Sequence, residues 1–148
     1  LVEDIKTNEV EALINNQLIE VVPISGRDYE YLGWNNIDPQ EYAVGNIIPN
    51  KLFGSAKVRK ALTIALQRGV VVEEYLSGYG QLAASPISPI FKSVYEQSLE
   101  PYTFDPTIAA ELLAEEGWID VDNDGILEKD DLEFKFSLNI PTGLTLLG

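Results

Sequence analysis

The chain has 148 residues, 10 basic and 24 acidic, and a formal net charge of −14 at pH 7, which repels polyanions over a Debye length and argues against nucleic acid or an anionic membrane as partner. An apolar fraction of 45%, with two Trp, seven Tyr and five Phe, argues against disorder, and a domain of this size buries about 68–70% of the surface its unfolded form exposes. The absence of Cys and His excludes a disulfide framework, a thiolate site and the usual general base and zinc ligand, and leaves the compartment open.

Leu1 to Leu13 has a weak helical period and opens mid-pattern at Leu1-Val2-Glu3-Asp4; with no Met in the chain, it reads as a fragment or a processed form. Gln17 to Pro23 is β-rich, Ser25-Gly26-Arg27-Asp28 carries turn chemistry, and Tyr29 to Asn35 is aromatic and apolar, so the two runs predict a hairpin or adjacent strands. Asn36 to Gly54, with two Pro and two Gly, predicts a long loop of the kind that lines sites.

Ser55 is an N-cap candidate for a helix over Ala56 to Arg68, in which Val58, Ala61, Leu62, Ala65 and Leu66 form one apolar stripe and Gly69 marks the end. Val70 to Leu76 predicts a second short helix, ended by Gly78-Tyr79-Gly80. Gln81 to Pro101, with three Pro and four Ser, predicts an extended surface meander. Apolar runs such as Val70-Val71-Val72 are far shorter than the roughly 20 residues that span a bilayer, and no signal peptide is visible.

Asp105-Pro106 is a strong helix start, because the Asp oxygen takes an orphan N–H where Pro needs none; the helix runs Pro106 to Glu116, turns Ile108, Leu112 and Leu113 to the core, and stops at Gly117. Leu132, Phe134, Phe136 and Leu138 alternate with polar residues, which predicts a half-buried strand over Leu132 to Asn139. The fold class is therefore α/β, a mixed sheet with flanking helices, in a single domain over 1–148.

Nine of the 24 acids lie between Glu115 and Glu133. Within them, Asp120, Asp122 and Asp124 fall at positions 1, 3 and 5 of a calcium loop, Gly125 at 6 and the Ile126 carbonyl at 7. Position 12 is Asp131 where a bidentate Glu is usual, which weakens the site. The candidate ligands of a structural Ca2+ are thus Asp120, Asp122, Asp124, Ile126 and Asp131; the competing reading is a solvated Asp-rich turn whose Asn123, Asp124 and Gly125 suit left-handed backbone. Neither is an EF-hand pair, because a strand follows the loop. Enzyme chemistry is not expected: glycosidase carboxyls must sit about 5 to 9.5 Å apart and no pair stands out, while Ser25, Ser85 and Ser88 have no His to activate them. In the Tyr29 to Asn35 strand, alternation puts Tyr29, Tyr31, Gly33 and Asn35 on one face and Glu30, Leu32 and Trp34 on the other.

The order Tyr31-Leu32-Gly33-Trp34-Asn35, Val58-Arg59-Lys60-Ala61-Leu62, Gly78-Tyr79-Gly80, Tyr102-Thr103-Phe104-Asp105-Pro106, Gly117-Trp118 and the acidic loop closely resembles the family 5 extracellular solute-binding proteins, the peptide- and oligopeptide-binding components of ABC transporters. Gln67 stands where that family has Asp, and the loop before Val58 is long. The resemblance implies a piece of the C-terminal lobe of a two-lobed periplasmic-binding-protein fold. It implies capture of a peptide or similar small solute outside the cytoplasmic membrane, delivery to a membrane permease, and a periplasmic or extracellular location, lipid-anchored through a missing N-terminus. By the same analogy Tyr31 and Asn35 border the ligand cleft, and Asn139 lies at the cleft end of the strand after the acidic loop. The rival from another class is a calcium-stabilised structural or adhesion module of a secreted protein.

Overall fold

The computed structural model describes residues 5 and 7–140. In chain order the elements are α1 (Thr7–Ile14), α2 (Pro39–Ala43), α3 (Ala56–Ala65), α4 (Arg68–Val70) continued by a π-helical turn (Val71–Tyr75), α5 (Pro106–Glu115), β1 (Glu128–Lys129) and β2 (Leu132–Glu133). The chain forms two compact units. One takes the described residues of Leu1–Glu30, Gln67–Pro101 and Ile140–Gly148, the other Tyr31–Leu66 and Tyr102–Asn139.

The second unit is built on α3 and α5. Ser55 has extended backbone, and its hydroxyl accepts the N–H groups of Lys57 (3.1 Å) and Val58 (3.4 Å), two of the donors that a helix start leaves orphaned. Asp105 does the same for α5, its Oδ1 accepting from Ile108 N–H at 2.9 Å while Pro106 takes the first helical position. Gly117 adopts φ 86°, which lets its N–H reach Ala114 O (2.9 Å) and Trp118 N–H reach Leu113 O (3.0 Å), a Schellman stop at the expected residue. α3 stops at Ala65, short of Arg68, because Leu66 turns extended (ψ 121°) and Asp105 N–H takes the Ile64 carbonyl at 2.9 Å. Gly69 therefore lies inside α4 and does not end α3.

The core is Val58, Ala61 and Ile64 of α3 against Ala109 and Leu113 of α5, closed by Trp118, with Leu52, Leu62, Leu112, Leu127, Leu132 and Phe134 half-buried around it. The expected stripes are thus rotated. Ala65 and Leu66 are exposed and Ile64 is buried, while Ile108 is 47% exposed and Ala109 is 2% exposed. Small residues at the contact, Ala61 and Ala109, allow the helices to approach closely, and the larger side chains then pack to either side.

After α5 the chain makes Ile119 N–H to Glu128 O (3.1 Å) and Glu128 N–H to Ile119 O (2.8 Å), so this bridge is the neck of the acidic loop. β1 and β2 pair antiparallel, Glu128 with Glu133 and Lys129 with Leu132, through a two-residue turn in which Asp130 (φ 50°) and Asp131 (φ 62°) are both left-handed, the backbone pattern that hairpin twist favours. This is the one ladder among the described residues, and the class is mixed helix and strand.

Three expected strands are corrected. Gln17 to Pro23 and Tyr29 to Asn35 carry no ladder, and of Leu132 to Asn139 only Leu132–Glu133 does. β-branched and aromatic composition reports a fit to a half-buried pleated surface, not an intrinsic backbone state. Leu18 is 95% exposed and Tyr31 is 77% exposed, and beyond Glu133 no strand lies beside the chain among the described residues. The long loop instead has structure of its own: Asp38 caps α2 through the N–H groups of Gln40 and Glu41, and Ile37 bridges Pro49.

In the first unit α1 begins at Thr7; Leu1 to Asp4 and Lys6 of the expected first helix lie outside the described residues. Val10 is buried there. The second short helix spans Arg68 to Tyr75 and ends in a π turn, with Leu76 N–H reaching Val71 O, after which Ser77 (φ 49°) and Gly78 (φ 76°) reverse the chain. The meander is held by serines: Ser85 Oγ accepts Ile87 N–H, and Ser88 Oγ donates to Gly26 O at 2.9 Å.

Candidate functional site

Both groups of candidate residues belong to the second unit. In the acidic loop, Asp120, Asp122 and Asp124 are brought together, and a carboxylate oxygen from each lies within 4.8 Å of the others and of one from Glu128. Asp131 is not brought to them. It sits in the turn between β1 and β2, on the far side of Glu128 in the chain, and its left-handed backbone serves the hairpin. Glu128 is the residue that the sequence reading missed. It occupies position 9 of the same calcium-loop spacing, itself a ligand position, so the signal was present.

The loop's carboxylates also serve its backbone. Asp120 accepts from the N–H groups of Asp124 (3.1 Å) and Gly125 (3.0 Å), Asp122 from Asp124 N–H (3.2 Å), Asp124 from Ile126 N–H (2.8 Å), and Glu128 from Val121 N–H (2.9 Å). Lys135 answers the cluster's charge from outside. Its ammonium pKa is held above the ordinary 10.5, first by the hydrogen bond to Glu133 and further by the fields of Asp124 and Glu128. The arrangement can take up a hard cation through oxygen ligands, and it can also stand as a turn whose carboxylates are satisfied by backbone N–H groups.

The second group lies around an aromatic cluster. The Phe53 ring centroid is 5.3 Å from that of Trp34, 5.1 Å from Phe136 and 6.2 Å from Phe134, and Trp34 stands 6.2 Å from Phe136 edge to face, within the range where such pairs attract. The segments carrying Asn35 and Asn139 are thus joined through the rings of Trp34 and Phe136. Tyr31 and Asn35 are exposed, Trp34 is half-buried, and the Tyr31 ring lies 3.6 Å from where a Gly33 side chain would begin. Tyr31 and Gly33 therefore share a face, as alternation requires, and Trp34 turns to the cluster. Asn139 is exposed. No helix among the described residues is long and apolar enough to cross a membrane.

A profile of the bacterial extracellular solute-binding proteins, family 5 Middle, matches residues 1–145. The chain is 35% identical over 127 residues to the oligopeptide-binding protein AppA of Bacillus subtilis, covering 84% of this chain and 21% of AppA. It is 35% identical over 89 residues to a probable ABC transporter-binding protein of Deinococcus radiodurans, covering 60% of this chain and 15% of that protein. To the glutathione-binding protein GsiB of Salmonella typhimurium it is 37% identical over 81 residues, 55% of this chain and 15% of GsiB. The solved structure of Bacillus subtilis AppA in complex with a nonapeptide matches at a TM-score of 0.53 and 40% identity, covering 57% of this chain and 17% of that one. The chain spans about a fifth or less of the length of these relatives.

Proposed function

This chain belongs to the bacterial extracellular solute-binding proteins of family 5, and from that premise we propose that it forms part of the C-terminal lobe of a receptor that binds peptides or similar small solutes. The receptor acts in the periplasm or at the cell exterior, free or lipid-anchored, and delivers its solute to the permease of an ABC transporter. No catalytic step is assigned. The observation that carries this reading is the double likeness to AppA, in sequence over 84% of the chain and in fold to the peptide-bound protein. Tyr31, Asn35 and Asn139 are the proposed ligand-border residues, because an amphipathic ring and amide side chains suit a peptide backbone.

Closure on a ligand shares the binding energy between two lobes, so one lobe alone loses most of it. Calorimetry with a peptide library tests the proposal: the full-length receptor binds and residues 1–148 alone bind weakly or not at all. Micromolar binding by the 148-residue piece, or no binding by the full-length receptor, contradicts it.

The acidic loop supports a second reading, compatible with the first, in which Asp120, Asp122, Asp124 and Glu128 hold a structural Ca2+, with the Ile126 carbonyl at the adjoining ligand position. Proximity of the four carboxylates favours it. The same loop would be the main feature of a calcium-stabilised structural module, against which the match over residues 1–145 speaks.

A further inference from the structure

Where no strand ladder holds Trp34 and Phe136 in register, something else must. The Phe53 ring touches both, at 5.3 and 5.1 Å between centroids, and the backbone of Phe53 is gripped on each side. Its N–H donates to Asn50 Oδ1 at 3.0 Å, beside the Leu52 N–H at 2.8 Å. Its carbonyl accepts from Arg59 Nη1 at 2.7 Å, and the same nitrogen donates to Gly54 O at 2.9 Å. Arg59 springs from α3, one residue after the buried Val58. The turn leaves no slack: Gly54 N–H donates to Asn50 O at 2.8 Å, and a side chain at Gly54 would begin 2.5 Å from that oxygen and 2.6 Å from Pro49 Cβ.

We propose that Arg59 and Phe53 are positioning residues for ligand binding, together setting the spacing of the segments that carry Asn35 and Asn139. This rests on the functional reading above. The path is continuous: the core fixes α3, Arg59 fixes the carbonyls of Phe53 and Gly54, the Phe53 ring fixes Trp34 and Phe136, and these stand one and three residues from the two asparagines. A binding constellation left loose by its supporting residues loses affinity although every contact residue is present. Arg suits the task because its planar fork stays charged and keeps its direction.

The test uses the full-length receptor and a fluorescently labelled random nonapeptide library, read by anisotropy, for wild type, Arg59→Met, Arg59→Lys and Phe53→Leu. Far-UV circular dichroism establishes that each variant is folded, and near-UV dichroism follows the aromatic cluster. Arg59→Met and Phe53→Leu are expected to weaken binding about tenfold and reduce the near-UV signal with the far-UV spectrum retained, while Arg59→Lys, which keeps the charge but loses the fork, falls between. Affinity within about twofold of wild type in folded Arg59→Met and Phe53→Leu overturns the inference and leaves the receptor reading intact. A wild-type receptor that binds none of the library overturns both. Should Arg59→Met fail to fold, Phe53→Leu decides by the same criterion, because it keeps an apolar side chain in the cluster.

Discussion

Asp105 donates its backbone N–H to the Ile64 carbonyl at 2.9 Å while its carboxylate caps α5 through Ile108 N–H. One residue therefore ends one helix and starts the next. Asp105→Ala is expected to lower stability by about 0.5–2 kcal/mol through loss of the cap. Asp105→Asn, which keeps an acceptor, is expected to lower it less. Urea titration followed by circular dichroism measures both, and equal losses would show that charge and not capping matters here.

The helix pair separates two neighbours that the hydrophobic pattern treated alike. Leu113 is 9% exposed and Ile108 is 47% exposed, so Leu113→Ala is expected to cost about 2–5 kcal/mol by leaving a cavity, and Ile108→Ala no more than about 0.5 kcal/mol. Comparison of their denaturation midpoints checks this. A larger loss at Ile108 would place the expected stripe, and not the observed one, against the core.

These two residues show how far the sequence could be read. Helix starts at Ser55 and Asp105 and the stop at Gly117 were legible because each depends on chemistry within a turn: an oxygen for orphan N–H groups, a left-handed glycine for orphan carbonyls. The facing of the stripes was not, since Ala109 and Ile108 are both apolar and only the partner helix selects between them. Strands were least legible. Phe134 and Phe136 alternate as a strand should, but a ladder is a property of two segments, and at Trp34 and Phe136 ring contacts stand where hydrogen bonds were expected. In the acidic loop the spacing identified three of the four clustered carboxylates; the fourth, Glu128, falls at position 9, which often reaches the ion only through water and so carries a weaker signal.

Lys57 joins the two helices by charge, its ammonium 3.0 Å from Glu115 and 3.6 Å from Glu116. The hydrogen bond to Glu115, then the attraction of Glu115 and of Glu116, holds its pKa above the ordinary 10.5. A base whose pKa is raised by folding contributes stability that is complete below its unfolded value and lost as pH climbs through the folded one. The melting temperature of Lys57→Met should thus lie slightly below wild type at pH 7 and meet it above pH 10.5. The deficit is small because solvent screens an exposed pair. Melting curves of both proteins across alkaline pH check the sign, and a deficit that widens with pH would refute it.

The acidic loop decides between a cation and its own backbone. Four carboxylates whose oxygens approach within 4.8 Å repel one another, and salt relieves that repulsion only partly; a Ca2+ turns the repulsion into a link between the end of α5 and β1. Exposed as the loop is, affinity is expected in the range of about 10⁻⁴ to 10⁻³ M typical of extracellular modules. Binding to the native state alone then adds about 1.4 kcal/mol at ten times Kd. Glu128→Gln, which can still accept from Val121 N–H but carries no charge, should abolish the calcium-dependent rise in melting temperature, and Asp122→Ala should do the same. Asp131→Asn should leave the rise intact, since that residue serves the β1–β2 turn. Lys135→Met should enlarge it by removing a competing cation whose pKa already feels Asp124 and Glu128. The measurement is a set of melting curves with calcium and with chelator. If wild type melts at one temperature in both, the N–H groups of Val121, Asp124, Gly125 and Ile126 are sufficient partners for these carboxylates, and the loop is a turn that needs no ion.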